Sequence, residues 1–275
     1  MPVRRHAGRQ RVRQGRDQGF TSGEHVRGGL RRMTFQNEAR AAFRRGDLAG
    51  VLRLATTEAE RARTCDDVAG EVEALYTMAR AALQAGDLHR AEEMARSALE
   101  VALLAGDRRR EERPRHVLAA VARRAGDHFE ARKRHLASID LYEALRLPAM
   151  VLAEQHKLAL AELRLGNRDR ARVLLAHVRD QVFREGHRSM LPHLGLGACA
   201  LASADGDHRQ AAWMLGFTSR AYDAVGLVPD ADDARDLAAI RDRAVAALGE
   251  AGLAAHCAIG ASWTAVDAFG LTWES

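Results

Sequence analysis

Apolar and small residues recur at intervals of three and four along most of this chain, with charged residues between them. That spacing puts the apolar positions on one face of a helix. No segment shows the sustained alternation of a β-strand, and no Asn-Gly hairpin signal occurs. The pattern therefore predicts an all-α protein. One helical stripe that illustrates it is Leu88, Ala91, Met94, Ala95, Ala98, Leu99 and Ala102.

A turn dipeptide returns every 40 residues. The five copies are Gly46-Asp47, Gly86-Asp87, Gly126-Asp127, Gly166-Asn167 and Gly206-Asp207. Glycine can take the left-handed conformation that ends one helix, and Asp or Asn can cap the next. The regular spacing therefore predicts five helix-turn-helix units with these dipeptides as their inner corners.

Two positions in each unit carry small side chains. They are Ala39, Ala79, Ala119, Ala159 and Cys199 in the first helices, and Val51, Ala91, Ala131, Ala171 and Ala211 in the second helices. Small residues let paired helices approach closely. We expect these positions to be buried, and Cys199 to be a structural cysteine.

Residues 1–32 differ from the rest in composition. They carry nine arginines against Asp17 and Glu24 and have no apolar period, so they are predicted to be a disordered basic leader. Three interpretations stay open: a solvated tail, a translation start placed upstream of the true first residue Met33, or a nucleic-acid-binding arm. The remaining residues have a net charge of −2, so the whole-chain charge of +5 does not indicate a nucleic-acid-binding body.

The regular spacing covers residues 33–228, and a different arrangement follows in residues 229–275. Helices are predicted from Asp232 to Leu248, from Glu250 to Ala258, and from Ser262, as a cap, to Phe269. We expect these helices to cover the open apolar end of the array.

The spacing and the small residues resemble the tetratricopeptide repeat (TPR). The bulky aromatic and the terminal proline of that motif are poorly kept, and the period of 40 exceeds the family average of about 34, which implies longer helices. The resemblance implies a right-handed α-solenoid of TPR-like helical hairpins with a helical C-terminal cap. In such a fold the first helices line a concave groove.

A second resemblance lies near the C-terminus. The residues that carry it are Ala211-Ala212-Trp213-Met214-Leu215-Gly216, Ala221, Gly226, the segment 243–249, Ala258-Ile259-Gly260 and Thr264-Ala265-Val266. They are similar to the C-terminal end of large ATP-dependent LuxR-type regulators and antibiotic regulatory proteins. There, a repeat superhelix senses an inducer or holds a partner. This chain has no GxxxxGK[ST] motif and no helix-turn-helix after residue 270. The resemblance over residues 34–270 therefore implies a regulatory sensor module without the ATPase and DNA-binding domains, either free-standing or a split piece of a larger regulator. The family's transcription activity is not carried over to it.

The repeat register predicts which side chains face the groove. They are Arg40, Arg44, Tyr76, Arg80, His116, Arg123, Arg124, His156 and Arg164, with Glu73 as the one acid among them. Arginine and histidine favour an anionic ligand, such as a peptide carboxylate, acidic side chains or a phosphorylated metabolite. The alternative is an ordinary solvated helix face.

No motif predicts catalysis, a metal or a cofactor. The acidic residues Asp230, Asp232, Asp233 and Asp236 are explained by the start of a helix. Three cysteines without a CxxC pair fit a reducing cytoplasm, and no apolar run predicts a membrane span. Together, these observations predict that the protein is a non-catalytic module that binds a protein, a peptide or a small anionic effector. A DNA-associated regulator that uses the leader and a structural scaffold are the alternatives, and Trp263 with Trp273 would suit a homodimer contact.

Overall fold

The computed structural model describes residues 22–271, which form twelve α-helices and no strand. Two short 3-10 turns, Arg108–Glu111 and Arg188–Met190, precede α5 and α9. The helices are α1 Ser22–Arg44, α2 Leu48–Thr64, α3 Val68–Ala85, α4 Leu88–Leu104, α5 Glu112–Arg124, α6 His128–Ala144, α7 Pro148–Arg164, α8 Arg168–Arg184, α9 Leu191–Asp205, α10 His208–Ala224, α11 Ala231–Ala261 and α12 Ala265–Phe269.

The helices stack in chain order into an all-α solenoid, which confirms the predicted fold class. From α1 to α11, each helix packs on the next along the chain. In addition, α3 lies against α1 and α5, and α9 lies against α7, whereas successive even-numbered helices have no comparable contact. The odd-numbered helices therefore line the inner, concave face, and the even-numbered helices form the outer face.

The helix corners recur twice as often as the turn dipeptides predicted. A residue with positive φ occurs every 20 residues, and it is a glycine in eight of the ten cases. Each repeat thus consists of two helices with the same spacing. The positions are Gly46, Asp66, Gly86, Gly106, Gly126, Arg146, Gly166, Gly186, Gly206 and Gly226.

The predicted caps are present in four of the five inner corners. Asp47, Asp87, Asp127 and Asp207 each accept a hydrogen bond from the backbone N–H three residues later. The prediction was wrong for Asn167, whose side chain makes no cap hydrogen bond. Its amide instead donates to the buried Glu162 carboxylate, 2.6 Å away, because that acceptor lies within reach.

The small residues are buried, as predicted. All five in the second helices are fully buried, and the five in the first helices are at most 4% exposed. Cys199 has its sulfur 3.6 Å from the Thr218 hydroxyl, and burial raises the pKa of its thiol to about 12. This cysteine therefore has a packing role.

The first helix begins earlier than predicted. α1 starts at Ser22, so residues 22–32, which were assigned to the disordered leader, are helical. An existing helix can be extended without an apolar stripe, because propagation is far less costly than nucleation. The rest of the predicted leader, residues 1–21, lies outside the described part of the chain.

The C-terminal cap is close to its prediction. α11 is interrupted at Gly249, which has φ 72° and ψ 164°, so the predicted break between two helices is confirmed there. The predicted cap Ser262 was wrong. Thr264 caps α12, because its side chain and that of Asp267 reciprocally bond each other's backbone N–H groups. Trp273 lies outside the described residues.

Among the described helices, only α11 is long and apolar enough to cross a membrane. Core helices of soluble proteins can meet the same two criteria of length and composition. In this structure α11 packs along α10 and contacts α9.

Candidate functional site

A cationic opening lies on the concave face between α1, α3 and the start of α5. We call it the open arginine pocket. It encloses about 400 Å³. Four arginines and one glutamate contribute the charged groups, so the pocket is strongly positive. Its lining residues are Gln36, Ala39, Arg40, Phe43, Arg44, Glu73, Tyr76, Thr77, Arg80 and Arg113.

Aromatic rings hold two of these arginines in place. The Arg80 guanidinium carbon lies 4.7 Å from the ring centre of Phe43 and 5.7 Å from that of Tyr76. Arg113 lies 5.3 Å from the Tyr76 ring centre and pairs with Glu73. Stacking fixes the plane of a guanidinium while its N–H groups along the edge stay available to an acceptor.

The other arginines of this pocket have no acidic partner in the part of the chain that the structure describes. Among the described residues, no carboxylate lies within 4 Å of Arg40, Arg44 or Arg80. Arg40 and Arg44 are four residues apart on α1, a spacing at which like charges repel. The pocket thus combines preorganised donors with uncompensated positive charge, as expected of an anion-binding surface.

The remaining groove arginines, Arg123, Arg124 and Arg164, are paired with carboxylates of the chain itself. Asp232 accepts from Arg123 at 2.5 Å and from Arg124 at 2.6 Å, and Asp236 pairs with Arg164. The prediction that these three arginines await an external ligand is therefore wrong. The start of α11 folds back across the groove and supplies their carboxylates.

The same acidic segment also forms the helix start that the sequence predicted. The Asp230 side chain accepts from the backbone N–H groups of Asp232 and Asp233, both at 2.9 Å. Burial would lower the pKa of Arg123, but the carboxylates of Asp232, Asp230 and Asp233 outweigh that effect and raise it. The same segment therefore both neutralises the arginine charges in this part of the groove and forms the start of α11.

A buried glutamate orders two histidines beside this ionic contact. Glu154 is 1% exposed, and its two oxygens lie 2.6 Å from His135 Nδ1 and 3.2 Å from His116 Nδ1. Burial alone would raise the pKa of Glu154, but the hydrogen bonds from His116 and His135 hold it well below its usual value. Glu154 is therefore ionised, and both histidines donate to it. The described residues contain no group of three or more His, Cys, Asp or Glu that could hold a metal ion.

His156 does not face the groove, contrary to the prediction. Its side chain is 2% exposed and packs against His193, with ring centres 5.7 Å apart. Burial and the neighbouring His193 lower its pKa to about 3, so it is neutral. It is buried because α9 approaches it closely at Gly197. A Cβ at this glycine would lie only 3.3 Å from His156 Nε2.

Lys157 is one of only two lysines in the chain and lies among these groups. It is half-buried on α7, and the described residues include no carboxylate within 4 Å of its ammonium. Burial lowers its pKa, and the positive charge of Arg123 adds to that effect. Its charge is in turn the largest influence that lowers the pKa of His116.

This environment predicts an unusually reactive amine. Because the pKa of Lys157 is lowered, its neutral form is populated at lower pH than in an ordinary lysine. Competitive labelling with acetic anhydride across a pH series, read by mass spectrometry, should give a midpoint for Lys157 below the usual range. Lys157→Arg should remove that adduct and leave the one on Lys133, which is 80% exposed. A midpoint at the ordinary lysine value would contradict the prediction.

Sequence reasoning missed Arg113, Glu154, Lys157, Asp232 and Asp236 as members of the concave face. Arg113 could have been found, because it stands 40 residues after Glu73, at the same repeat position and with the opposite charge. The two aspartates could not, since their partners on α5 and α7 depend on how the chain turns back after α10.

No family model matches the chain, and no curated protein matches it in sequence. Among solved structures, it is similar to the crystal structure of BtubC (BKLC) from P. vanneervenii. The sequence identity is 17%, the TM-score is 0.53, and the match covers 79% of this chain and 93% of that chain. At this identity the likeness supports the helical fold alone. The resemblance to TPR proteins and LuxR-type regulators stays a prediction.

Proposed function

We propose that this protein is a non-catalytic binding module whose concave face takes an anionic ligand in the open arginine pocket. One observation carries the proposal. Arg40, Arg44 and Arg80 surround an opening of about 400 Å³ and have no acidic partner among the described residues. A cleft lined by charges of one sign attracts ligands of the opposite charge.

The chemistry of the pocket fits carboxylates and phosphates better than other ligands. Guanidinium groups bind both in a planar, two-pronged geometry, and such charge-assisted hydrogen bonds are about twice as strong as neutral ones. Arg80 is already held by Phe43 and Tyr76, so less side-chain entropy is lost when a ligand binds.

A sensor or regulatory role follows from this pocket and from the resemblance to the repeat region of LuxR-type regulators. The helical repeat fold also fits a scaffold, which would need no unbalanced charge in its groove. We therefore favour ligand-dependent regulation over a passive structural role.

A thermal-shift screen of phosphorylated metabolites, dicarboxylates and acidic peptides tests the proposal. A ligand at a hundred times its Kd adds about 2.7 kcal/mol of stability, which should raise Tm by roughly 5–10 °C in a protein of this size. Arg40→Glu with Arg80→Glu should abolish the shift. Arg209→Glu with Arg220→Glu changes the net charge equally on exposed positions of α10 and should retain it. No shift with any anion, or the same shift in both double variants, would refute the proposal.

A further inference from the structure

The protein already shows how its concave face binds carboxylates, because the start of α11 does so within the chain. We infer that the ligand of the open arginine pocket is an acidic protein segment that enters as the first turn of a helix, with carboxylates four residues apart. This inference rests on the proposed function and names the ligand class of the same pocket.

The first argument is the repeat position of the arginines. Arg44, Arg124 and Arg164 are each the last residue of a first helix, in units one, three and four. Arg124 binds Asp232 and Arg164 binds Asp236. Arg44 stands in the same place but has no acidic partner among the described residues. The repeat thus presents a third position of the kind that two carboxylates already occupy.

The second argument is the spacing of the carboxylates. Asp232 and Asp236 are one helical turn apart and reach arginines on neighbouring first helices, α5 and α7. One turn of an acidic helix therefore spans the step between repeats. Across α1 and α3 the corresponding donors are Arg44 and Arg80. Unit two has Gln84 at the repeat position of Arg44, and Arg80 lies one turn earlier on α3.

The third argument is that the occupied and the open regions adjoin. Arg124 donates from Nε to Asp232 and from Nη1 to the carbonyl oxygen of Leu83. Leu83 belongs to α3, the helix that also carries Tyr76 and Arg80. The acidic start of α11 and the open arginine pocket are therefore joined through α3 on the same concave face.

A peptide with the sequence of residues 229–240, acetylated and fluorescently labelled, is the probe. Its binding to the full chain is measured by anisotropy at low ionic strength. We expect binding that weakens at least about tenfold when the residues copied from Asp232 and Asp236 are asparagine, since the loss of even one charge-assisted hydrogen bond changes Kd by about that factor. A peptide of equal composition with no two aspartates four residues apart should bind as weakly as the asparagine peptide.

Protein variants assign the site. Arg44→Glu with Arg80→Glu should abolish binding, and Arg44→Gln with Arg80→Gln should weaken it if the charge-reversed variant fails to fold. The control Arg209→Glu with Arg220→Glu should bind like the unaltered chain. Equal loss in that control would mean non-specific charge attraction and would overturn the inference.

Inorganic pyrophosphate separates the inference from the proposed function. If pyrophosphate binds through Arg44 and Arg80 and the peptide does not, the pocket binds anions but the ligand class is wrong. If neither probe binds, the inference falls, and the proposed function falls with it unless another anion in the thermal-shift screen depends on Arg40 and Arg80. Tighter binding of the peptide of residues 229–240 than of the rearranged peptide supports both the inference and the proposed function.

Discussion

Gly260→Ala is expected to destabilise the C-terminal end of the solenoid by about 3 kcal/mol, although it adds a single methyl group. A Cβ at Gly260 would lie 1.7 Å from the carbonyl oxygen of Trp213. That oxygen belongs to the backbone of α10, so no side chain can move aside to make room. The two helices would have to separate, and overpacking of this kind costs 1–3 kcal/mol or more.

The contact is reciprocal, which is why the expected effect is large. A Cβ at Gly216 on α10 would lie 2.0 Å from the carbonyl oxygen of Cys257 and 2.9 Å from the nitrogen of Ala261. Gly216 and Gly260 therefore let α10 and the second part of α11 touch backbone to backbone. Close helix packing is therefore a physical reason for glycine at both positions.

Hydrogen exchange of α10 and α11, together with urea unfolding followed by tryptophan fluorescence, measures the loss. Exchange is needed because a repeat array can open at one end without unfolding throughout. Ala258→Ser is the matched control: it also adds one heavy atom to α11, at an exposed position. It should change stability by at most about 0.5 kcal/mol. Equal effects of the two substitutions would rule out the backbone contact as the cause.

Asp232→Asn should cost about 3 kcal/mol, because it removes the one carboxylate that pairs directly with two mostly buried cations, Arg123 and Arg124. The side chains of Arg123 and Arg124 are 11% and 13% exposed. Nε and Nη1 of Arg123 already have no hydrogen-bond partner, so Asp232 supplies its one acceptor in the described structure. Removing one member of a buried ion pair typically costs 3–5 kcal/mol.

Asp236→Asn is the control for this substitution. It also removes one negative charge from the start of α11, but its partner Arg164 is 39% exposed, so water can replace the carboxylate. We expect a loss below about 1 kcal/mol. Hydrogen exchange at the first turns of α11 should accelerate strongly for Asp232→Asn and little for Asp236→Asn. Equal acceleration would mean that burial of the arginines does not determine the cost.

The helix corners of the repeat can be predicted from the sequence wherever the residue with positive φ is a glycine. The five Gly-Asp and Gly-Asn pairs predicted the inner corners, and Gly106, Gly186 and Gly226 could have predicted outer ones by the same interval. Asp66 and Arg146 could not, because residues other than glycine seldom take positive φ. There the packed helices on both sides impose the conformation.

The site was predictable only where the partners of a side chain lie in neighbouring repeats. The register placed Arg40, Arg44, Tyr76 and Arg80 on one face, and in the structure they line one opening. It misjudged the arginines that pair with α11, since a contact across 108 residues leaves no local pattern. It also misplaced His156, because glycine in α9 allows a helix to cover a position that is open elsewhere in the repeat.

The equal 20-residue spacing of the corners has a consequence for how such a gene can change its length. A tandem duplication of 40 residues adds an inner and an outer helix, so every later helix keeps its side. A duplication of 20 residues would exchange the sides of all helices beyond it, burying charged surfaces and exposing the alanine-lined ones. Growth or loss in whole pairs is therefore the tolerated change, and each added pair would lengthen the inner surface by one more set of positions on which ligand contacts can evolve.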